Sequence, residues 1–505
     1  MRKNTAFFVL AKNVQGTTPS NEVYLDASVS LQAAGYIKAP NTDKSDKFGS
    51  ALSLSEDGKT LVTSAVGEAS TSAGVNGNPS DNTAAGTGAA YVYTLTDTGW
   101  EQEAYLKPSN PDPSDNFGYA LSLSGDGNTL AISALNEASA SSGINNDETS
   151  NTAPLAGAVY LFTKQNNTWQ QQAYIKASNT ESIDAFGFSV SLSQNGDRLA
   201  IGAPDEGSAA IGVNGLQTDN TASGAGAVYV FDRSGSSWSQ SAYLKASNTD
   251  SDDNFGFDVA LSGDAKTLIV GAPGEDANAS GINANDASNT LSNSGAAYVF
   301  KETNGNWLQT TYVKASTPGD NDQFGHSLAI NQAGTHFAVS ALFEDSGATT
   351  NGNESDNTIT DAGAVYVFSD SSNGSWAQGA YLKPPNADIN DHFGHDISMN
   401  NAGTLLAVSS PKEQSNALGI NGDTQQNILN NAGAVYLFEQ TDEQWAFTDY
   451  YKATNTDAED SFGQSISLKD SLLAIGAIGE ASQSTGFGGS PSDNSASQAG
   501  AVYLF

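Results

Sequence analysis

The dipeptide Phe-Gly stands at residues 48, 117, 186, 255, 324, 393 and 462, always 69 residues apart. All six tryptophans keep the same interval (Trp100, Trp169, Trp238, Trp307, Trp376, Trp445), and so do seven lysines (Lys38, Lys107, Lys176, Lys245, Lys314, Lys383, Lys452). A unit of this length is one small sheet that cannot bury both faces alone, so its copies must stack on each other. The chain is expected to be an array of seven such units in one large domain.

The third copy shows what the unit contains. Residues 186–193 (FGFSVSLS) alternate apolar and small polar side chains, the period of a strand. Asn195-Gly196 follows as a two-residue hairpin signal of type I′, and Asp57-Gly58 and Asp126-Gly127 fill the same slot. Residues 199–204, 226–231 and 238–246 read as the second, third and fourth strands. A long polar loop (205–223) joins the second to the third, and a short one (247–254) leads to the next Phe-Gly. No capping box opens a run of period 3.6, so helices are not expected. Seven four-stranded antiparallel meanders in tandem predict an all-β, seven-bladed β-propeller.

The chain stops at residues 501–505, a third strand, so the last unit lacks its fourth. Residues 31–39 (LQAAGYIKA) carry the fourth-strand pattern, with Leu31 in the tryptophan slot. This N-terminal strand is expected to complete the last blade and close the ring, which removes exposed sheet edges. The propeller then spans 31–505, and residues 1–30 are a linker or the remnant of a preceding module.

Phe-Gly is followed sixteen residues on by Gly-Ala-Pro, intact at 202–204 and 271–273, and then by a Gly-Ala-Xaa-Tyr strand. Over 31–505 this combination resembles the FG-GAP repeats of integrin α-subunit propellers and their bacterial relatives. Residues 11–16 and 20–23 resemble the last two strands of a fibronectin type III domain. The resemblance implies a non-catalytic adhesion or ligand-binding module of an exported bacterial surface protein. Such a module is extracellular and part of a longer modular chain, with its export signal upstream. Calcium-binding integrin repeats carry a D-x-D-x-D-G-like loop between the first two strands. Here that connection is a tight turn (Gly125-Asp126-Gly127, Gly263-Asp264-Ala265) with too few oxygens.

Composition narrows the partners. Asp and Glu number 56 against 20 Lys and Arg, a net charge of −36. Such a surface repels nucleic acid and anionic membranes, and suits cations, basic partners or neutral glycans. The absence of cysteine excludes disulfides and thiolate chemistry but leaves the compartment open. No apolar run approaches the ~20 residues of a membrane span, so no direct membrane insertion is expected. The six-residue apolar stretch near the start is too short for a signal-peptide core.

Strand alternation places the 4→1 and 2→3 loops on one face, and both are acidic. The 4→1 loops carry Asp43/Asp46, Asp112/Asp115, Glu181/Asp184, Asp250/Asp253, Asp320/Asp322, Asp388/Asp391 and Asp457/Asp460. The 2→3 loops open with Glu68, Glu137, Glu206, Glu275, Glu344, Glu413 and Glu480, and continue through Gly-Val/Ile-Asn motifs such as Asn76, Asn145 and Asn214. Two readings of these carboxylates stand side by side. Together with loop carbonyls they supply the oxygens of a Ca²⁺ site in each blade, or the Asp and Asn side chains fix turns by bonding their own backbone. The repeated lysines lie a few residues before the paired aspartates, where a local surface salt bridge is expected. The tryptophans and repeated tyrosines read as packing between blades.

One slot varies inside this near-identical repeat. The residue after Phe-Gly is Ser50, Tyr119, Phe188, Phe257, His326, His395 or Gln464. Tyr119, Phe188, Phe257, His326 and His395 are candidate ligand-binding residues of an asymmetric pocket, and loose packing between blades is the other account of the slot. No catalytic motif occurs, and the four histidines show no metal-ligand spacing, so no enzyme is expected. The functional expectation is recognition of an extracellular protein or glycan through the acidic loop face. The alternatives are a polysaccharide-binding or polysaccharide-degrading propeller and a structural spacer in a large adhesin.

Overall fold

The computed structural model describes residues 35–284, 287–371, 375–470 and 472–505, and of residues 1–34 only two short antiparallel strand pairs. Ala6–Phe7 pairs with Val23–Tyr24, and Leu10–Asn13 with Gly16–Pro19. The fibronectin-like reading of 11–16 and 20–23 otherwise lies outside the described residues.

The chain forms seven antiparallel blades and no helix among the described residues, hence none long and apolar enough to cross a membrane. Blade three shows the pattern: Val190–Leu192, Arg198–Ala203, Ala227–Ser234 and Ser237–Leu244 pair in simple order. The turn between the first two strands departs from the type I′ expectation. Gly196 alone has positive φ and donates from its N–H to the Ser193 carbonyl, while Asn195 Oδ1 accepts the N–H of Asp197. The Asn side chain builds the turn, so the loop is longer than two residues.

The ring closes as the sequence predicts. Gly35–Lys38 pairs with Ala501–Leu504, with Ile37 opposite Val502 and Tyr36 opposite Tyr503. Residues 31–34 lie outside the described residues. A short loop strand, Gly486–Phe487, covers the outer edge of this last blade. In blades one to four and six, Val75, Ile144, Val213, Ile282 and Ile420 make the same contact as single bridges to the fourth strand. The asparagine of each Gly-Val/Ile-Asn motif locks it: Asn214 donates its N–H to Tyr243 O, and Asn214 Oδ1 accepts the N–H of Tyr243. These motifs therefore shield a sheet edge.

Packing is between blades. Seven apolar clusters fill the seven blade junctions, and the one joining the last blade to the first contains Ile37, Val502 and Leu504 with Phe48, Tyr91 and Trp100. All six tryptophans are buried. Each Phe-Gly phenylalanine lies edge-on to the Gly-Ala-Xaa-Tyr tyrosine of its own blade, with ring centroids 5.3–5.6 Å apart. Its N–H donates to a carbonyl of the preceding blade at 2.9–3.1 Å in all seven junctions.

That contact explains the glycine of Gly-Ala-Xaa-Tyr. Gly88, Gly157, Gly226, Gly295, Gly363, Gly433 and Gly500 have φ of 75° to 82°. A Cβ on any of them would lie 2.0–2.2 Å from the phenylalanine carbonyl oxygen of the next blade. Gly212 has φ +71° but nothing within 4 Å of its Cβ position. Gly212→Ala should therefore cost about 1–3 kcal/mol from backbone conformation alone. Gly226→Ala should lower the thermal unfolding midpoint well beyond that, and equal midpoints for the two variants would refute the clamp.

Candidate functional site

The face bearing the 4→1 and 2→3 loops is held by one network repeated around the ring. In blade three, Lys245 ends the fourth strand and its Nζ lies 3.0 Å from Glu206 Oε2. The amide of Asn179, from the incoming 4→1 loop, donates to Glu206 Oε1 at 2.9 Å, and Tyr229 Oη donates to Asn179 Oδ1. The other six pairs are Lys107–Glu68, Lys176–Glu137, Lys314–Glu275, Lys383–Glu344, Lys452–Glu413 and Lys38–Glu480, at 2.7–2.9 Å. Every one of these side chains is at most 2% exposed. Burial pushes the lysines down from their ordinary value, and the facing glutamate opposes it.

This corrects the expected partner of the repeated lysine. It pairs with the glutamate 39 residues earlier on its own blade, not with the aspartates that follow it; for the closing pair the separation is 442. The β-ladder sets the contact, because the fourth strand's end lies beside the loop leaving the second strand. Such a pair is buried rather than exposed, and breaking it strands a charge.

The paired aspartates divide into two kinds. The second of each pair (Asp46, Asp115, Asp184, Asp253, Asp322, Asp391, Asp460) is buried and caps its own loop, accepting the N–H three residues before it. Burial is the chief cause that raises these carboxyls, to about 7 for five of them and about 8 for Asp253 and Asp391. The first acid of the pair is mostly exposed. Asp43, Asp112, Glu181, Asp250, Asp388 and Asp457 each accept from an asparagine amide of the neighbouring 2→3 loop: Asn82, Asn151, Asn220, Asn289, Asn427 and Asn494. In blade five Gly319 fills that slot and the exposed Asp320 lies one residue on.

The seven glutamates do not fit a calcium site, since a lysine ammonium already sits against each carboxylate. Among the described residues, no group of three or more His, Asp or Glu side chains is placed to hold a metal ion.

At the centre of this face the first strands of all blades meet. The residue after Phe-Gly from every blade lines one cavity of about 490 Å³. Tyr119, Phe188 and Phe257 form a continuous aromatic belt with centroids 5.3 and 4.7 Å apart. His326 and His395 continue it at 5.1 and 5.9 Å, and Gln464 Nε2 lies 3.0 Å from His395 Nε2. The structure thus brings together all five candidate ligand-binding residues, with Ser50 and Gln464. Burial pulls His326 down to about 3 and His395 to about 4, so both are neutral. His326 Nδ1 is buried without a hydrogen-bond partner among the described residues.

Two residues outside the sequence-derived set also line the cavity, Asp258 and Asp396. They stand two places after Phe-Gly, where the other blades have Ala51, Ala120, Ser189, Ser327 and Ser465. Asp258 Oδ2 accepts the N–H of Leu328 and Asp396 Oδ2 that of Ile466, each on the next blade and each at 2.7 Å. At the same slot the Ser327 hydroxyl accepts the N–H of Ile397, and two residues further along serine hydroxyls do likewise, as Ser53 from Leu123 and Ser467 from Leu54. Burial raises both aspartates to about 7. The odd blades were visible by aligning the copies at this second slot.

The opposite mouth is lined by polar side chains from the 1→2 turns. The Gln332 amide meets Gln194 two blades away, the Asn401 amide meets Glu56, and Lys469 lies beside them.

The FG-GAP repeat family matches residues 100–162, 169–231 and 238–300, so the chain carries FG-GAP repeats, and an FG-GAP propeller suggests a binding or adhesion-type module. Each match runs from a fourth strand through the first three strands of the next blade. No curated protein matches the chain. Among solved structures, the WD40 repeats of RRP9 superpose with TM-score 0.49 at 9% identity, covering 94% of this chain and 98% of that one. A structure of U3-55K gives TM-score 0.49 and 9% identity, covering 94% and 100%.

Lys245→Met should destabilise the fold by about 3–5 kcal/mol by leaving Glu206 buried and unpaired. Lys245→Met with Glu206→Gln should recover most of the loss in thermal unfolding; no recovery would show that the pair is not coupled. The buried aspartates set a pH dependence. Their folded values exceed the unfolded value near ~4, so the fold holds protons that the unfolded chain has shed. That stabilisation is complete below the unfolded value and lost as pH rises through about 7 to 8. The melting midpoint should fall between about pH 5 and pH 8.5; a rise across this span would mean the carboxyls are ionised in the fold.

Proposed function

We propose that the chain is a non-catalytic recognition module of an exported bacterial surface protein, engaging an extracellular protein or glycan through its loop face. One observation carries this reading: seven blades of nearly identical sequence converge on a single cavity whose seven lining slots hold five different residue types. The architecture repeats what packing needs and varies where a ligand would sit. The acidic rim around the cavity favours basic or neutral partners over anionic ones. Residues before 31 are read as the junction to a preceding module of a longer chain.

Loop order on this face is proposed to need no calcium, because lysine with asparagine, or in blade five Lys383 with Tyr381, already satisfies the repeated glutamates. Beads coated with the full chain should adhere to cell-surface protein or glycan. Adhesion should weaken with Glu181→Lys and Asp250→Lys and persist with Asp126→Lys on the opposite face. Chelation with EDTA should leave both adhesion and the melting midpoint unchanged. Equal effects of substitutions on the two faces would overturn the reading, and a midpoint lowered by EDTA and restored by calcium would overturn its metal-free form.

A further inference from the structure

We propose that the cavity at the loop-face mouth is a carbohydrate cup that takes a neutral, hydroxyl-rich sugar at the end of a glycan. This rests on the recognition reading and gives its ligand a chemical class.

The cup has two unlike halves. Blades two to four supply Tyr119, Phe188 and Phe257, a curved apolar wall that suits the C–H face of a pyranose ring. Blades five to seven supply His326, His395 and Gln464, side chains that both donate and accept. Asp258, next to Phe257 on blade four, and Asp396, next to His395 on blade six, also line the cup. A wholly apolar ligand would bury this polar half without partners, at a cost. A sugar presents apolar and hydroxyl surface on opposite sides of one ring and matches both halves. At about 490 Å³ the cavity is on the scale of ligand pockets in general and has room for one or two sugar residues.

Protonation and pairing favour a neutral ligand over a charged one. Both histidines are neutral, so an anionic sugar finds no cationic imidazole, and Lys47 is the single basic side chain among the lining residues. Asp258 and Asp396 titrate near neutrality and already accept backbone N–H groups, so they are a weak counter-charge for an organic cation. They remain able to bond hydroxyls, as acceptors when ionised and as donors when protonated.

An array of neutral, amino and acidic oligosaccharides probed with the full chain tests this. The strongest neutral oligosaccharide is then titrated calorimetrically against wild type, Phe188→Leu and His326→Phe. Phe188→Leu keeps an apolar filling and removes the ring face, and His326→Phe restores the aromatic belt while removing its hydrogen bonds. Each should weaken binding about tenfold or more with an unchanged melting midpoint. The proposal fails if no neutral oligosaccharide binds, if only amino or acidic ones do, or if both variants bind as wild type does. A protein ligand whose adhesion depends on Phe188 while no glycan binds would overturn the sugar assignment and leave the recognition reading standing. Loss of all binding at this face would end both.

Discussion

Each Phe-Gly holds its blade to the one before through a backbone hydrogen bond, from the phenylalanine N–H to a carbonyl of the neighbouring blade, the last of three such bonds at each junction. That bond requires two backbones to approach so closely that only glycine fits opposite it. Once the approach is made, the phenylalanine ring lies against the tyrosine of its own third strand and the interblade core fills around it. In every blade but the fifth, the tyrosine hydroxyl then meets the asparagine that bonds the buried glutamate. Backbone contact, aromatic core and buried charge are thus successive layers of one junction, repeated seven times.

The acidity of the chain is organised by these junctions. Seven of the twenty basic residues are consumed inside the Lys–Glu pairs, where they neutralise buried carboxylates and offer nothing to solvent. The rim of first aspartates therefore stands with few cations beside it. Buried ion pairs contribute little net stability compared with apolar packing. Their use here is positional, because a lysine from the fourth strand, a glutamate after the second and an asparagine from the adjacent blade can satisfy one another in one arrangement only.

Much of this was legible in the sequence because it repeats. The 69-residue period, the strand alternation in 186–193 and the fourth-strand pattern of 31–39 gave the blades, their number and the closure of the ring. The lysine's partner was not legible. Lys245 is near Asp250 and Asp253 along the chain but near Glu206 in space, and only the pairing of third and fourth strands reveals it. The constant separation of 39 residues was the available signal. The cavity residues were half legible: the slot after Phe-Gly drew attention by its variety, whereas Asp258 and Asp396 sit among serines and alanines in a slot read as structural. The turn at Asn195 was misread because the motif Asn-Gly does not by itself tell a two-residue hairpin from a longer one built by the Asn side chain.

The FG-GAP unit in the sequence and the blade in the structure are out of phase by one strand, and this has a consequence for how the chain comes to be folded. Every blade is completed by the opening strand of the following repeat, except the last, whose fourth strand is Gly35–Lys38 at the other end of the chain. During synthesis that strand emerges before every other strand of the propeller and has no mate until residues 501–504 appear. The partner of Lys38 is 442 residues away, so the final pairing is the longest loop the molecule must close. Six blades can form as the chain lengthens, each stacking on the one before. The seventh is a latch that engages only when the ring is whole, and until then the incomplete ring exposes an apolar blade face at each end and the unpaired edge of residues 501–504.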